Sequence, residues 1–164
     1  MQASDMKQEL ARLGNGAHAL AIQIMGNRDD AADAVHDAFA VALSRPAAYD
    51  HSRGPLKPWF LRVVRNRCID LLRQKRPSDP AVEQLADPES SPERAAVERQ
   101  RDRQLRAALE KLPPERRQIV VLRDYLDLSY AEIAAVLDIA PGTVMSRLHR
   151  SRMMLKDLLE QIDE

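Results

Sequence analysis

Apolar residues recur three and four positions apart through most of the chain, which is the spacing of amphipathic helices. We find no segment with the apolar–polar alternation that is typical of a β-strand. The predicted helices, in chain order, cover residues 8–25, 29–43, 58–75, 92–111, 114–125, 130–137 and 142–161. The pattern therefore predicts an all-α protein.

A segment poor in apolar residues separates two groups of predicted helices. It contains Pro77, Pro80, Pro88 and Pro92 among acidic residues and serines. Proline removes a backbone donor and disfavours helix in the residue before it, and few apolar groups are present to offset the entropy of ordering. The sequence predicts a flexible acidic linker over residues 77–94, between two small helical domains at 1–76 and 95–164.

The first predicted helix has an interrupted apolar pattern, whereas the second and third have continuous apolar faces. Gly14-Asn15-Gly16 interrupts the first helix, and the pattern leaves both a continuous and a broken helix open. Asn27 is a typical cap for the next helix, with Asp29 and Asp30 in its first turn. The predicted apolar faces of the second and third helices consist of Ala31, Ala34, Val35, Ala38, Phe39, Ala42 and Leu43, and of Trp59, Phe60, Val63, Val64, Ile69, Leu71 and Leu72.

Residues 129–156 carry the signals of two helices joined by a tight turn. Ser129 followed by Glu132 is a capping-box pattern, Asp138 suits the turn, and Pro141 suits the first position of the next helix. The residues expected to form a small shared core are Ile133, Leu137, Ile139, Val144 and Leu148. This combination predicts a helix-turn-helix unit, in which the second helix enters the major groove of DNA.

The last predicted helix has a polar face opposite its apolar one. At 100° per residue, Ser146, His149 and Arg150 lie on the side away from Val144 and Leu148. Arg150 can contact a guanine edge bidentately, which contributes about 1–3 kcal/mol of base discrimination. Met145 lies at the edge of this face, and the side chains better placed for phosphates are Thr143, Arg147 and Arg152. A basic solvated helix in a bundle is the alternative interpretation of the same pattern.

The charge distribution indicates partners of both signs. The chain has 25 basic and 25 acidic residues and a formal net charge of zero. Residues 57–77 and 140–156 are basic, whereas residues 27–50, 78–98 and the last eight are acidic. Screening limits electrostatic interactions to about 10 Å, so a partner responds to the local block and not to the total.

The remaining composition excludes several classes of protein. The single cysteine, Cys68, excludes an internal disulfide, and its helical context favours a buried structural residue over a redox switch. The four histidines are scattered, and there is no Gly-rich phosphate loop or nucleophile motif, so we expect no enzyme, metal or cofactor. We find no membrane-spanning apolar run and no signal-peptide core, and we therefore expect a cytoplasmic protein.

Three stretches together resemble one family. LSYAEIAAVLDIAPGTVMSRLHRSRMMLKDLL, preceded by LEKLPPERRQIVVLRDYLDL, resembles region 4 of the bacterial extracytoplasmic-function (ECF, group IV) sigma factors of the sigma-70 family. PWFLRVVRNRCIDLLRQKR is similar to their helix of regions 2.3 and 2.4, and GNRDDAADAVHDAFAVAL to region 2.2. The resemblance implies a sigma region 2 bundle and a region 4 helix-turn-helix.

The resemblance implies roles for the first domain, which would bind core RNA polymerase and recognise and open the minus-ten element. The polymerase-binding residues would be Asp33, His36 and Asp37. Those matching the minus-ten helix are Arg62, Arg65, Asn66, Asp70 and Arg73. The loop at 50–56 would capture a flipped base. Trp59 suits either stacking on a base or, as its spacing with Val63 favours, a place in the core.

The second domain would bind the minus-thirty-five element of promoter DNA through the polar face described above. The resemblance also implies an anti-sigma factor, membrane-linked or soluble, that sequesters both domains, and a linker that permits closed and open arrangements. The alternative is a helix-turn-helix regulator or sigma mimic that does not initiate transcription. Such a protein would not need the basic helix at 58–75.

Several positions depart from the family pattern, among them Gly14-Asn15-Gly16, which lies where the family has an uninterrupted helix. Ala32 stands where an acid is usual in region 2.2, and His36 stands where glutamine is usual. Ala140 occupies the usual cap position before the recognition helix, and Met145 stands where a basic residue is common. We expect Ala32 and His36 to alter the polymerase contact and Met145 to alter the promoter preference.

Overall fold

The structure, a computed structural model, describes residues 3–74 and 94–162 of the chain. Within these ranges it contains seven α-helices and no β-strand, so the all-α prediction is confirmed. The helices are α1 (Ala3–Met25), α2 (Arg28–Ser44), α3 (Leu56–Gln74), α4 (Arg94–Lys111), α5 (Pro114–Val120), α6 (Tyr130–Leu137) and α7 (Pro141–Ile162). The predicted linker lies outside the described residues, apart from Arg94, the first residue of α4.

The helix α1 is continuous through Gly14-Asn15-Gly16, so the broken helix that the sequence left open does not occur. Both glycines face neighbouring elements. A Cβ built on Gly14 would lie 3.7 Å from Phe39 on α2, and a Cβ on Gly16 would lie 2.8 Å from Leu126. The absence of a side chain at Gly16 therefore permits a close approach between α1 and the C-terminal part of the chain.

The helices α1, α2 and α3 pack around a core of alanines, aliphatic residues and the buried ring of Phe60. The side chain of Asn27 caps α2 by accepting a hydrogen bond from Asp30 N at 2.8 Å, as predicted. Leu43 and Leu72 were predicted on the apolar faces, but they are 44% and 41% exposed. Both lie near the end of their helix, one residue beyond its inward stripe, where 100° of rotation turns the side chain outward.

The predicted helix at 114–125 is only partly correct. α5 ends at Val120, and a π-helical turn follows over Val121–Tyr125. Leu126 N donates to Val121 O at 2.9 Å, which is the wider hydrogen-bond ring of a π-turn. Asp127 then adopts a positive φ of 64°. Leu126 is buried within this wider turn.

The helix-turn-helix unit has the predicted local geometry. Ser129 and Glu132 form a reciprocal capping box, with Glu132 N donating to Ser129 Oγ at 3.1 Å and Ser129 N donating to Glu132 Oε1 at 2.9 Å. Asp138 ends α6 in the left-handed region, and α7 begins at Pro141. Ile133, Val144 and Leu148 are buried between the helices. The relative orientation of α6 and α7 is thus set by caps, a turn and a shared core.

The first helical group, α1 to α3, packs directly against the second helical group, α4 to α7. α3 contacts α6, and α1 contacts α5 and the π-helical turn. Buried residues of both groups belong to one continuous core cluster, which includes Phe60 and Leu61 of α3 and Ile133 of α6. Among the described residues, no helix has both the length and the apolar character that crossing a bilayer requires.

Candidate nucleic-acid interfaces

The first candidate interface is the outer face of α7. Ser146, His149 and Arg150 are exposed, whereas Val144 and Leu148 of the same helix are buried. The helical spacing thus separates an anchoring face from a polar face, as predicted. A helix of this kind can place donors and acceptors against base edges in the major groove.

The residues flanking this face are arranged less uniformly than the sequence predicts. Arg147 is exposed, Met145 is 61% exposed, and Thr143 is half-buried. Thr143 O accepts a hydrogen bond from Ser146 Oγ at 3.1 Å. The hydroxyl proton of Ser146 is therefore donated to the backbone, and its oxygen remains available to accept a hydrogen bond from a DNA base.

Arg152 is held by its own helical group. Its guanidinium binds both carboxylate oxygens of Asp124, with Nε 3.1 Å from Oδ2. This hydrogen bonding is the main cause that raises the pKa of Arg152. Arg152 was predicted to contact phosphate. In the structure its guanidinium is already paired with the carboxylate of Asp124, and this pair connects α7 to the π-helical turn.

The second candidate interface is one face of α3. At 100° per residue, the side chains of Arg62, Asn66, Asp70 and Arg73 fall within about 80° of one another around the helix. All four are exposed, so the structure brings these predicted residues together on one surface. Arg65 lies on the flank of this surface and is half-buried, and desolvation lowers the pKa of its guanidinium.

A cleft of about 620 Å³ lies between the loop before α3, α3 itself and α6. Its lining includes Tyr49, Trp59, Arg62, Asn66 and Glu132. The rings of Tyr49 and Trp59 pack with centroids 5.2 Å apart. Trp59 is half-buried, so it both packs in the fold and forms part of the cleft wall. The cleft offers aromatic faces and amide and guanidinium donors, the groups that hold an unstacked base.

The loop at 45–55 is shaped by its own hydrogen bonds. Tyr49 OH donates to Gly54 O at 2.7 Å. Ser52 donates to Asp50 Oδ1 from its backbone N at 3.0 Å and from its hydroxyl, and these bonds lower the pKa of the Asp50 carboxyl. Gly54 has a φ of 144°, a conformation that strongly favours glycine. The second half of the loop is therefore constrained by its own hydrogen bonds.

A third candidate surface lies on α2. Asp33 and His36 are exposed, and Asp37 is half-buried. Because they are spaced three and four positions apart, the three side chains share one side of the helix. Asp37 Oδ2 accepts a hydrogen bond from Arg67 Nε of α3 at 2.9 Å. The structure thus brings together the residues predicted to contact polymerase, one of them already paired within the fold.

The single cysteine does not belong to any of these surfaces. Cys68 is buried, and burial raises the pKa of its thiol to about 11. A thiol with that pKa is protonated at neutral pH and is a poor nucleophile. Within residues 3–74 and 94–162, no three His, Cys, Asp or Glu side chains lie close enough together to hold a metal ion.

Sequence reasoning did not find the residues that join the two helical groups. Lys57 Nζ donates to Leu126 O, and Arg65 Nε donates to Gln118 Oε1 at 3.0 Å. Gln118 is buried although it is polar. A glutamine within the apolar run QIVVL was the one local signal for this contact, but its partner lies 53 residues away.

Comparison with known proteins gives two family matches in the same order as the two helical groups. The family model described as "Sigma-70 region 2" matches residues 10–77, and the model described as "Sigma-70, region 4" matches residues 102–155. These matches define a two-region protein of the sigma-70 family.

Curated relatives place the chain more narrowly. ECF RNA polymerase sigma factor SigE of Mycolicibacterium smegmatis is 35% identical over 149 residues, covering 87% of this chain but 56% of the relative. ECF RNA polymerase sigma factor SigM of Mycobacterium tuberculosis is 35% identical over 147 residues, covering 87% of this chain and 70% of the relative. The chain belongs to the ECF RNA polymerase sigma factors.

A solved structure supports the same fold. The sigma factor RpoE of Bartonella quintana, crystallised with the anti-sigma factor NepR, superposes with a TM-score of 0.72 at 23% identity. The match covers 95% of this chain and 97% of that one. At this identity the likeness supports the fold.

Proposed function

We propose that this ECF sigma factor directs core RNA polymerase to promoters with two separate DNA elements, which it reads through α7 and through α3. The observation that carries this proposal is the exposed polar face of α7, with Ser146, His149 and Arg150 standing above a buried apolar anchor. The two readers belong to two proposed domains, residues 1–76 and 95–164, joined by a linker at 77–94.

The minus-thirty-five element is the proposed ligand of α7. Arg150 is the best candidate for direct base readout, because it is exposed on the polar face and its guanidinium can donate two hydrogen bonds to the edge of a guanine. Met145 adds an apolar contact at the edge of this face. The set proposed for this element is Thr143, Met145, Ser146, Arg147, His149, Arg150 and Arg152, with Arg152 acting chiefly through its hold on Asp124.

The minus-ten element is the proposed ligand of α3 and the adjoining cleft. Trp59 and Asn66 line a space that can accept an extruded base, and Arg62 supplies positive charge beside it. Extrusion costs a few kcal/mol, so polymerase binding must help to supply it. The set proposed for this element is Arg62, Arg65, Asn66, Asp70 and Arg73.

The acidic side of α2 is the proposed contact with core polymerase. Asp33, His36 and Asp37 would face a basic surface of the enzyme, while the basic faces of α3 and α7 face DNA. This division of charge agrees with a net charge of zero. The chain would act as a dissociable specificity subunit without catalysis of its own, in the cytoplasm, where core polymerase acts.

An anti-sigma factor is the proposed regulator. This part of the proposal is supported by similarity to Bartonella quintana RpoE, which was crystallised with the anti-sigma factor NepR. The partner would be soluble or linked to a membrane and would sequester both domains. Co-purification of the chain with such a partner, followed by loss of transcription on its addition, would test this step.

Transcription from a promoter library by purified core polymerase tests the proposal as a whole. We expect new start sites that share two spaced elements when the protein is added. The matched variant Arg150→Ala should relax selection at the upstream element only. Absence of initiation with an active core preparation would instead support a DNA-binding regulator or sigma mimic. Ala32 and His36 would then be the first positions to restore to the family residues.

A further inference from the structure

Met145 is an apolar side chain that the fold of the second helical group does not use. The apolar residues next to it on α7, Val144 and Leu148, are 0% and 1% exposed, whereas Met145 is 61% exposed. Met145 also lies outside the hydrophobic core and outside the partly buried residues that pack against that core. A single exposed apolar residue is common at a protein surface, so its position on the helix decides what it can contact.

The position of Met145 places it at the proposed site of base readout. It is the fifth residue of α7 and lies 100° from Ser146 and 40° from His149 around the helix axis. The N-terminal residues of a recognition helix are the ones that contact base edges in the major groove. The exposed thioether therefore belongs to the part of α7 that would face the bases of the minus-thirty-five element.

Ser146, the next residue, presents a hydrogen-bond acceptor beside this thioether. Its hydroxyl donates to Thr143 O at 3.1 Å, and the side chain is exposed. A hydroxyl has one proton to donate and two lone pairs to accept with. In this conformation Ser146 can accept a hydrogen bond from a base but cannot donate one.

An apolar group next to an acceptor matches the major-groove edge of an A·T pair. Adenine presents its N6 amino group there as a donor, and thymine presents its C5 methyl group. A C·G pair also presents a donor, on cytosine N4, but it has no methyl group. The acceptor alone would therefore not distinguish the two base pairs, whereas the acceptor together with the thioether does.

We propose that Met145 and Ser146 together select an A·T pair in the minus-thirty-five element, with Met145 packed on the thymine methyl and Ser146 Oγ accepting from adenine N6. This inference rests on the proposed function of α7 and names the base pair that these residues read. Arg150 lies about 7.5 Å further along the helix axis, whereas base pairs stack about 3.4 Å apart. The guanine proposed for Arg150 and this A·T pair are therefore different base pairs of one element.

The methionine also determines how the contact responds to salt. Its unbranched, polarisable side chain packs readily on an apolar group and carries no charge. A lysine at this position would instead contact phosphate, and such contacts weaken as salt is raised because they release counterions. Met145→Lys should therefore steepen the salt dependence of promoter binding and abolish the response to the thymine methyl group.

Replacement of single thymines by deoxyuridine tests the proposal, because uracil pairs as thymine does and lacks only the C5 methyl group. Each thymine of the upstream element, on either strand of a promoter obtained from the library, is replaced in turn. Fluorescence anisotropy measures binding by holoenzyme formed from core polymerase and the unmodified protein, Met145→Ala or Met153→Ala. Met153 is the matched control: it is 46% exposed and lies on the same side of α7, about 12 Å further along the axis.

We expect deoxyuridine at one position to weaken binding of the unmodified holoenzyme about fourfold, which is the effect of losing one buried methyl group. The same replacement should have no effect with Met145→Ala and its full effect with Met153→Ala. Ser146→Ala should retain the methyl effect and weaken selection of the same A·T pair in the promoter library.

Equal affinity for thymine and deoxyuridine at every upstream position would overturn the inference, as would a selected upstream element without an A·T pair. A methyl effect that persists in Met145→Ala would overturn the assignment to this residue. Circular dichroism checks that each variant folds. Failure of the unmodified holoenzyme to bind any library promoter would count against the proposed function itself, whereas promoter binding without a methyl effect counts against the role of Met145 alone.

Discussion

Asp37 Oδ2 accepts a hydrogen bond from Arg67 Nε at 2.9 Å, which ties the helix proposed for polymerase contact to the helix proposed for DNA contact. Both side chains are more than a third exposed, at 34% for Arg67 and 40% for Asp37. Solvent screens such a pair, so its contribution to stability is below about 1 kcal/mol. The pair links α2 and α3 at their partly exposed edges.

Neutralising the acidic side of α2 should weaken polymerase binding. We expect Asp33→Asn and Asp37→Asn each to raise the Kd for core polymerase, more strongly at low salt, because both remove charge from the same surface. Only Asp37→Asn should also lower the free energy of unfolding, by up to about 1 kcal/mol. Titration of labelled core polymerase at two salt concentrations, with urea unfolding, measures both effects. Asp102→Asn on exposed α4 is the control; equal affinities of Asp33→Asn and Asp102→Asn would contradict the assignment.

The two caps of the helix-turn-helix unit should respond in opposite directions. Ser129→Ala removes the hydroxyl that accepts from Glu132 N, while the backbone N of residue 129 can still donate to Glu132 Oε1, and the change should lower the free energy of unfolding by about 1 kcal/mol. Ala140 occupies the N-cap position of α7, where its carbonyl oxygen accepts a hydrogen bond from Thr143 N at 3.0 Å. Its side chain, however, has no hydrogen-bond acceptor. Ala140→Ser should therefore raise the free energy of unfolding by up to about 1 kcal/mol. Urea denaturation measures both, and a change of the same sign in the two variants would contradict this reasoning.

Arg150 and Arg152 should separate base readout from structural support. Arg150→Ala should cost about 1–3 kcal/mol of discrimination at one upstream base pair, seen as relaxed start-site selection from the promoter library. Arg152→Ala breaks the pair with Asp124 and should lower stability by less than about 1 kcal/mol while leaving base preference intact. Loss of base preference in Arg152→Ala but not in Arg150→Ala would reverse the two roles.

Cys68 should make stability depend on pH only in alkaline solution. Burial raises the pKa of its thiol from 9.0 to about 11, so the unfolded chain releases this proton at a lower pH than the folded chain does. The contribution of this group to the free energy of unfolding is therefore constant below pH 9 and falls between pH 9 and 11. Cys68→Ala should remove that part of the slope in urea unfolding at pH 8, 9 and 10. Parallel slopes for the two proteins would show that the thiol titrates normally.

Much of the fold follows from local signals in the sequence. The capping box at Ser129 and Glu132, the left-handed Asp138 and the start of α7 at Pro141 each rest on residues within four positions of one another. Such contacts are encoded in short windows, so the helix-turn-helix and the polar face of α7 could be predicted. Asn27 as the cap of α2 belongs to the same class.

The contacts between the helical groups could not be predicted in this way. From the sequence alone, Gly16 is expected to interrupt the helix. In the structure the absence of a side chain at Gly16 lets Leu126, which lies 110 positions further along the chain, pack against α1. The sequence predicts that Arg65 faces solvent or DNA, whereas in the structure it donates a hydrogen bond to Gln118. The π-helical turn after Val120 likewise has no periodic signal in the sequence. Tertiary packing decided each of these positions.

Site-specific crosslinking of the holoenzyme to promoter DNA tests the central claim most directly. A photoreactive group at Asn66 and one at Ser146 probe the two proposed DNA surfaces, on a promoter obtained from the library. We expect both positions to crosslink in the presence of core polymerase, Ser146 upstream and Asn66 near the start site, and Asn66 to crosslink little without polymerase. Crosslinking from Ser146 alone, unchanged by polymerase, would contradict a two-surface sigma factor and indicate a helix-turn-helix regulator.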